Sequence, residues 1–136
     1  MVFAWQDDHR RFCEDHIWGI LATGRRDGSP QQSMVGYLLN AEGQLVVSAK
    51  STTAKWHNAL RQPSVSLTVT EGRAHLVIYG QAEAISEDPE RANLTADVFA
   101  ALTGSDRPDP ASILPLLNAD RRVILRIHPS HTVFQD

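Results

Sequence analysis

Leu45–Asn58 reads LVVSAKSTTAKWHN, and this stretch decides both the fold and the place to look for a function. It begins as an apolar β pattern at Leu45, Val46 and Val47, turns polar at Ser48, and passes the hydroxyls of Ser51, Thr52 and Thr53. It then enters a helical pattern carrying Lys55, Trp56 and Asn58. A strand therefore feeds a helix N-terminus. The first N–H groups of a helix lack intrahelical partners and carry the positive end of the dipole, so hydroxyls and an ammonium there make a seat for a phosphate. Both lysines of the chain, Lys50 and Lys55, fall in this stretch. The plainer reading is that Ser51 or Thr52 caps the helix, worth about 1 kcal/mol. A cap needs no lysines, and the two roles can coexist. Trp56 and Leu60, four residues apart, form an apolar pair that assigns Trp56 to packing.

Working outward, Asn40–Gly43 is a turn that brings in Gln44–Ala49 as a strand. Before it, Ile17–Thr23 (IWGILAT) is a compact apolar run, and its D-G turn within Arg25–Pro30 makes Gln31–Leu39 its hairpin partner. These three strands form a meander. At the N-terminal side, Ala4–His16 spaces Trp5, Phe12 and Cys13 for one face of a short helix with Asp7 and Asp8 in its first turn, placed to lid the core. After the central helix, Pro63 ends it by Gln62, and SVSLTVT (64–70) alternates cleanly with Val65, Leu67 and Val69 on one face. Ala74–Ile85 follows, with Leu76, Ile78, Gly80, Ala82 and Ala84 sharing a face; Gly80 on that face implies a bend or a close approach by a ligand. Asp88 as cap and Pro89 at the first position open a helix with Leu94, Val98, Phe99 and Leu102 as its buried stripe, ended by Gly104. A short helix at Ala111–Leu117 and a last strand at Arg121–Ile127, limited by Pro129, complete the chain. Six strands joined mostly by hairpins predict an antiparallel barrel with appended helices rather than a parallel sheet.

The chain has 136 residues, 42% hydrophobic and 21% charged, which suits one domain over 1–136. A net charge of −3 with scattered arginines provides no basic footprint for nucleic acid. The single cysteine, Cys13, forms no internal disulfide and reads as a buried apolar residue, and MVFAWQDDHR lacks the layout of a signal peptide, so a cytoplasmic protein is expected. No apolar run is long enough to cross a bilayer, so no membrane partner is expected. His128 and His131 flank Pro129 with no third ligand nearby and read as surface histidines rather than a metal site. There is no G-x-S-x-G elbow, dinucleotide fingerprint or Walker loop. A phosphate seat without a catalytic set makes sense where a bound redox ring does the chemistry and the protein supplies position.

Four blocks sharpen this: Arg26-Asp27-Gly28-Ser29-Pro30; Val46-Val47-Ser48 leading to Lys55 and Asn58; Arg61 to Leu67; and Tyr79-Gly80-Gln81-Ala82. In their order and separation they resemble the split β-barrel flavin and deazaflavin oxidoreductases related to pyridoxamine 5′-phosphate oxidase. The resemblance implies a six-stranded antiparallel split β-barrel with appended helices. It implies a cofactor phosphate at Ser48, Ala49, Lys50, Thr53 and Lys55, a ring system along Gln32, Met34, Val35 and Gly36, and a homodimer. FMN-binding members carry an Arg-Lys pair at the helix start; here Ala54 stands in the arginine's place, which removes a bidentate donor and points to the small members that use coenzyme F420. The expected function is an F420-dependent oxidoreductase acting on a small unsaturated or conjugated molecule, with no catalytic side chain identified. The alternatives are an FMN-dependent oxidase or reductase, with Lys50 compensating for Ala54, and a non-catalytic module for a flavin, a tetrapyrrole or a lipid.

Overall fold

The computed structural model describes residues 2–136. The chain runs α1 (Asp7–Glu14), β1 (Trp18–Gly24), β2 (Pro30–Leu39), β3 (Leu45–Lys50), α2 (Ala54–Arg61), β4 (Ser64–Glu71), β5 (Ala74–Ile85), α3 (Glu90–Thr103), a 3-10 turn (Pro110–Ile113), α4 (Leu114–Ala119) and β6 (Arg122–Gln135). The strands close into a barrel in the order β1-β2-β3-β6-β5-β4, with every pairing antiparallel. Local turn chemistry makes the hairpins. Between β1 and β2 the Asp27 carboxylate accepts from the Ser29 N–H (2.9 Å) and hydroxyl (2.6 Å), and Gly28 takes φ 87°. That positive φ suits glycine.

Alternation along the strands sorts side chains to two faces. Leu21, Val35, Tyr37, Leu45, Val47, Leu67, Leu76, Ile78, Leu125 and Ile127 fill the barrel interior. Val46, Ile85, Val98 and Ile124 form a second cluster on the outside of the wall, beneath α3. β3 and the first half of β6 are thus buried on both faces, which is why LVV and VIL are unbroken apolar runs. α1 closes against the interior through Cys13, whose carbonyl accepts from the Tyr37 hydroxyl (2.7 Å). Burial pushes the Cys13 thiol up to about 12, so it packs as an apolar group and is no nucleophile at neutral pH.

Several expected details differ. The last strand does not stop near Ile127 but continues through Pro129 to Gln135. β3 ends its pairing at Ile127, so beyond that point β6 has β5 alone as a neighbour, and a missing proline donor breaks no two-sided ladder. Trp56 is 6% exposed and packs in the barrel core, but Leu60 is 53% exposed, so the anticipated helix pair does not form; Ala59 is the inward partner. In α3, Pro89 is the N-cap and the Asp88 carboxylate still accepts from the Ala92 N–H (3.1 Å). Its buried face is Arg91, Ala92, Thr95, Ala96 and Val98; Leu94 is half-buried at the edge of the second cluster, and Phe99 and Leu102 are half-buried because the C-terminal half of α3 overhangs a cavity. In β5, Ala84 is exposed at the strand's end, where Ile85 turns outward under α3.

At Gly80 the β5–β6 register shifts, which supplies the bend read from the sequence; a backbone, not a ligand, makes the close approach. A Cβ there would lie 2.5 Å from the His128 carbonyl oxygen. Backbone cannot rotate away as a side chain can, so Gly80→Ala should destabilise the fold by about 2 kcal/mol or more. Urea unfolding checks this; a midpoint equal to wild type would contradict the packing described.

Candidate functional site

The strand-to-helix junction stands at one end of a cavity of about 390 Å³ on the outer face of the barrel wall, roofed by Phe99 and Leu102 of α3. Ladder register builds its floor. Trp18 pairs with Gly36 across β1 and β2, Ser48 with Ile124 and Lys50 with Arg122 across β3 and β6. Strand alternation places Trp18, Met34, Gly36, Ser48, Lys50 and Arg122 on the outward face. Val35 and Ala49 point inward and are buried, so they offer main-chain atoms to the cavity. Gly36 lets Leu102 lie against the strand: a Cβ would meet Leu102 Cδ1 at 2.5 Å.

Met34, Val35, Gly36, Ser48, Ala49, Lys50, Thr53 and Lys55 all line this one cavity. Gln32 does not; it is exposed further along β2, in register with Ala22 and away from the α3 roof. The structure adds Trp18, Phe99, Leu102 and Arg122, which sequence reasoning missed. For Arg122 a signal existed, in the Arg121-Arg122 pair immediately before an apolar run, but only the β3–β6 register says which arginine faces Lys50.

Neither Ser51 nor Thr52 caps α2. Thr53 is the N-cap, and no side chain caps the helix. The Thr53 hydroxyl and N–H both donate to the Lys50 carbonyl (2.7 and 3.1 Å), so Thr53 shapes the turn and the first-turn N–H groups are left without a side-chain acceptor. Ser48 Oγ, by contrast, is buried and has no hydrogen-bond partner among the described residues. A buried hydroxyl without a partner is uncommon and carries a desolvation cost unless something else supplies one.

Three cations converge here from three elements: Lys50 on β3, Lys55 on α2 and Arg122 on β6. Lys55 has its pKa lowered, first by burial and then by the nearby Arg122 charge. Asp120 is the sole carboxylate paired with them among the described residues, 3.1 Å from Arg122 Nε and 3.5 Å from Lys50 Nζ. The side chains lining the cavity include no His, Cys, Tyr, Asp or Glu. Such a set can hold and orient an anionic ligand; it has hydroxyls and amines but no carboxyl, imidazole or thiol, so no partner base of the usual kind stands beside Ser48 or Thr53 to activate them. The remaining block residues are structural. Asn58 donates to Thr23 Oγ1 (3.1 Å) and Arg61 to the Gly24 carbonyl (2.6 Å), clamping α2 onto β1. His128 bonds Glu83 (2.8 Å) and His131 stacks on Tyr79 with ring centroids 4.5 Å apart. No helix among the described residues is long and apolar enough to cross a membrane.

The same architecture occurs in solved structures. The Mycobacterium tuberculosis protein Rv2991 superposes with a TM-score of 0.79 at 23% identity, over 99% of this chain and 86% of that one. A protein described as an F420 reductase gives 0.71 at 21% identity, over 95% and 98%. A pyridoxamine 5′-phosphate oxidase-related, FMN-binding protein from Nostoc punctiforme gives 0.67 at 15% identity, over 98% and 86%. At such identities these likenesses establish the split-barrel fold. Residues 5–133, nearly the whole chain, match the family described as pyridoxamine 5′-phosphate oxidase, and it is to this family of flavin-type oxidoreductase barrels that the chain belongs.

Proposed function

We propose that the chain is an F420-dependent oxidoreductase that binds the deazaflavin in the cavity between β2, the start of α2 and α3, and acts on a small unsaturated or conjugated substrate. The observation that carries this reading is a cationic cavity containing an unpartnered buried hydroxyl and lined by no carboxyl, imidazole or thiol that would form a catalytic set with it. The residues fit a phosphate-bearing ring cofactor. Lys55 pairs with the phosphate, Ser48 Oγ gains an acceptor for its hydroxyl, and Thr53 holds the turn that leaves the helix N–H groups free. The main chain at Gly36, beyond the last β2–β3 pair, is available to polarise the ring, and Trp18, Phe99 and Leu102 exclude water from it. When bound, a deazaflavin supplies or accepts the hydride. FMN is the second reading, favoured by Arg122, because a third cation suits the higher charge of a phosphomonoester.

A second copy of the chain is the partner we infer from the cavity mouth. Trp18 is 55% and Met34 63% exposed, and an adjoining cavity of about 460 Å³ runs from them past Ile17, Ile20, Thr68 and Thr70. An apolar face of this kind supports the homodimer reading, with the second copy covering the mouth. Sedimentation at micromolar concentration should give twice the 15.1 kDa chain mass, and a single-chain mass would contradict it.

Titration of the protein with F420 and FMN side by side tests the function. F420 should bind more tightly, and tighter FMN binding would replace the first reading with the second. Lys55→Ala removes one charge-assisted contact, roughly 1.5–3 kcal/mol or about 10- to 150-fold in affinity, with little change in melting temperature. The gap should narrow with salt. The pH dependence has a definite sign. The free Lys55 ammonium already sits below its ordinary pKa, and a bound anion raises it, so binding takes up protons and affinity falls as pH rises through the free-protein value. Lys55→Ala should lack that alkaline decline; equal affinities for the two proteins at low salt would remove Lys55 from the seat.

A further inference from the structure

α2 begins with Ala54, so the helix start itself provides one cation, Lys55, where a phosphate would take more. The wall opposite supplies another. The β3–β6 ladder sets Arg122 directly across from Lys50, and the Ser51 N–H donates to the Arg121 carbonyl (2.9 Å) to hold that end closed. Arg121 reaches this position with φ 54°, a left-handed conformation that a side-chain-bearing residue adopts at some energetic expense and that persists where the surroundings enforce it. The main chain of Arg122 is fixed from behind: its carbonyl accepts from Arg91 Nη1 (3.1 Å), and that buried guanidinium is also held by Asp88 (2.8 and 3.0 Å) and Asn118 (2.9 Å).

The Arg122 side chain is held by one atom only. Its Nε donates to Asp120 (3.1 Å), and its two Nη nitrogens have no partner among the described residues. The guanidinium is therefore aimed but its end-on edge is open, a geometry suited to two parallel bonds to a phosphate. Arg122 and Lys55 line the same cavity, and the Lys55 ammonium pKa is lowered by burial first and by the Arg122 charge second.

We propose that Arg122 of β6 is a phosphate-binding residue of this cavity, standing opposite Lys55 and supplying the bidentate donor that the helix start lacks, with Asp120 aiming it through Nε. This deepens the cofactor reading and rests on it for the identity of the ligand, though not for the phosphate chemistry. Asp120 has a second consequence. Its carboxyl is held below the usual range, by the Arg122 hydrogen bond first and the Lys50 charge next, so it stays anionic and repels the same phosphate. Asp120→Asn keeps an acceptor for Nε and removes that repulsion.

Calorimetric titration of wild type, Arg122→Met, Arg122→Lys and Asp120→Asn with inorganic pyrophosphate, F420 and FMN tests this, with thermal melting run alongside. Arg122→Met should weaken binding roughly tenfold or more, Arg122→Lys should recover part of it, and Asp120→Asn should tighten it a few-fold. A structural role alone would lower the melting temperature and leave the affinities of the folded variants together. Equal affinity of wild type and Arg122→Met, or of wild type and Arg122→Lys should the methionine variant fail to fold, overturns the proposal. Arg122-dependent pyrophosphate binding without binding of either coenzyme keeps it and sinks the cofactor reading. Coenzyme binding indifferent to Arg122 does the reverse, and a wild type that binds none of the three ligands overturns both.

Discussion

The β3–β6 ladder, Leu45–Lys50 against Arg122–Ile127, is the constraint on which the rest of the structure depends. It joins segments more than seventy residues apart in the chain, and without it the hairpins would remain an open sheet with exposed edges. It also gives the wall two working faces. Inward, Leu45, Val47, Leu125 and Ile127 complete the barrel core; outward, Val46 and Ile124 seat α3. Its last rung places Lys50 beside Arg122 at the strand-to-helix end of the cavity. Fold closure and charge placement are therefore a single event, and a slip of β6 by one residue would turn Arg122 inward, away from Lys50.

The cavity concentrates positive charge and unmet hydrogen-bonding capacity. Among the described residues, Lys50, Lys55 and Arg122 meet with Asp120 as their one counter-charge, Ser48 Oγ is buried without a partner, and no side chain caps α2. Each of these is a small destabilisation that an anion would relieve. Proteins keep such arrangements where a ligand supplies what is missing, since preorganised donors need no rearrangement when it arrives. The same cavity is roofed by Phe99 and Leu102 and entered past Trp18, so a ring attached to the anion would meet apolar side chains.

Much of this could be read in the sequence because the signals are local. The Asp27-Gly28 turn, the alternation of Ser64–Thr70 and the helix stop at Pro63 each follow from neighbouring residues. The junction Ser48–Lys55 was legible for the same reason. What escaped was set by distant partners. Pro129 looked like a strand end because nothing in its neighbourhood reveals that β3 has already finished pairing at Ile127. Leu60 looked like a partner for Trp56 by helical spacing, but the barrel offers Trp56 a deeper site and leaves Leu60 in solvent. Arg122 was hidden among the chain's arginines until the ladder set it opposite Lys50, and Gln32 dropped out of the cavity because α3 crosses the wall too far away to enclose it.

The most direct measurement is a crystal structure of the protein in complex with F420. The phosphate should lie within hydrogen-bonding distance of Ser48 Oγ, Lys55 Nζ and the Arg122 guanidinium, with the ring along Met34–Gly36 beneath Phe99 and Leu102. A coenzyme bound elsewhere on the barrel, with Ser48 Oγ still unpartnered and Arg122 still held by Asp120 alone, would contradict it.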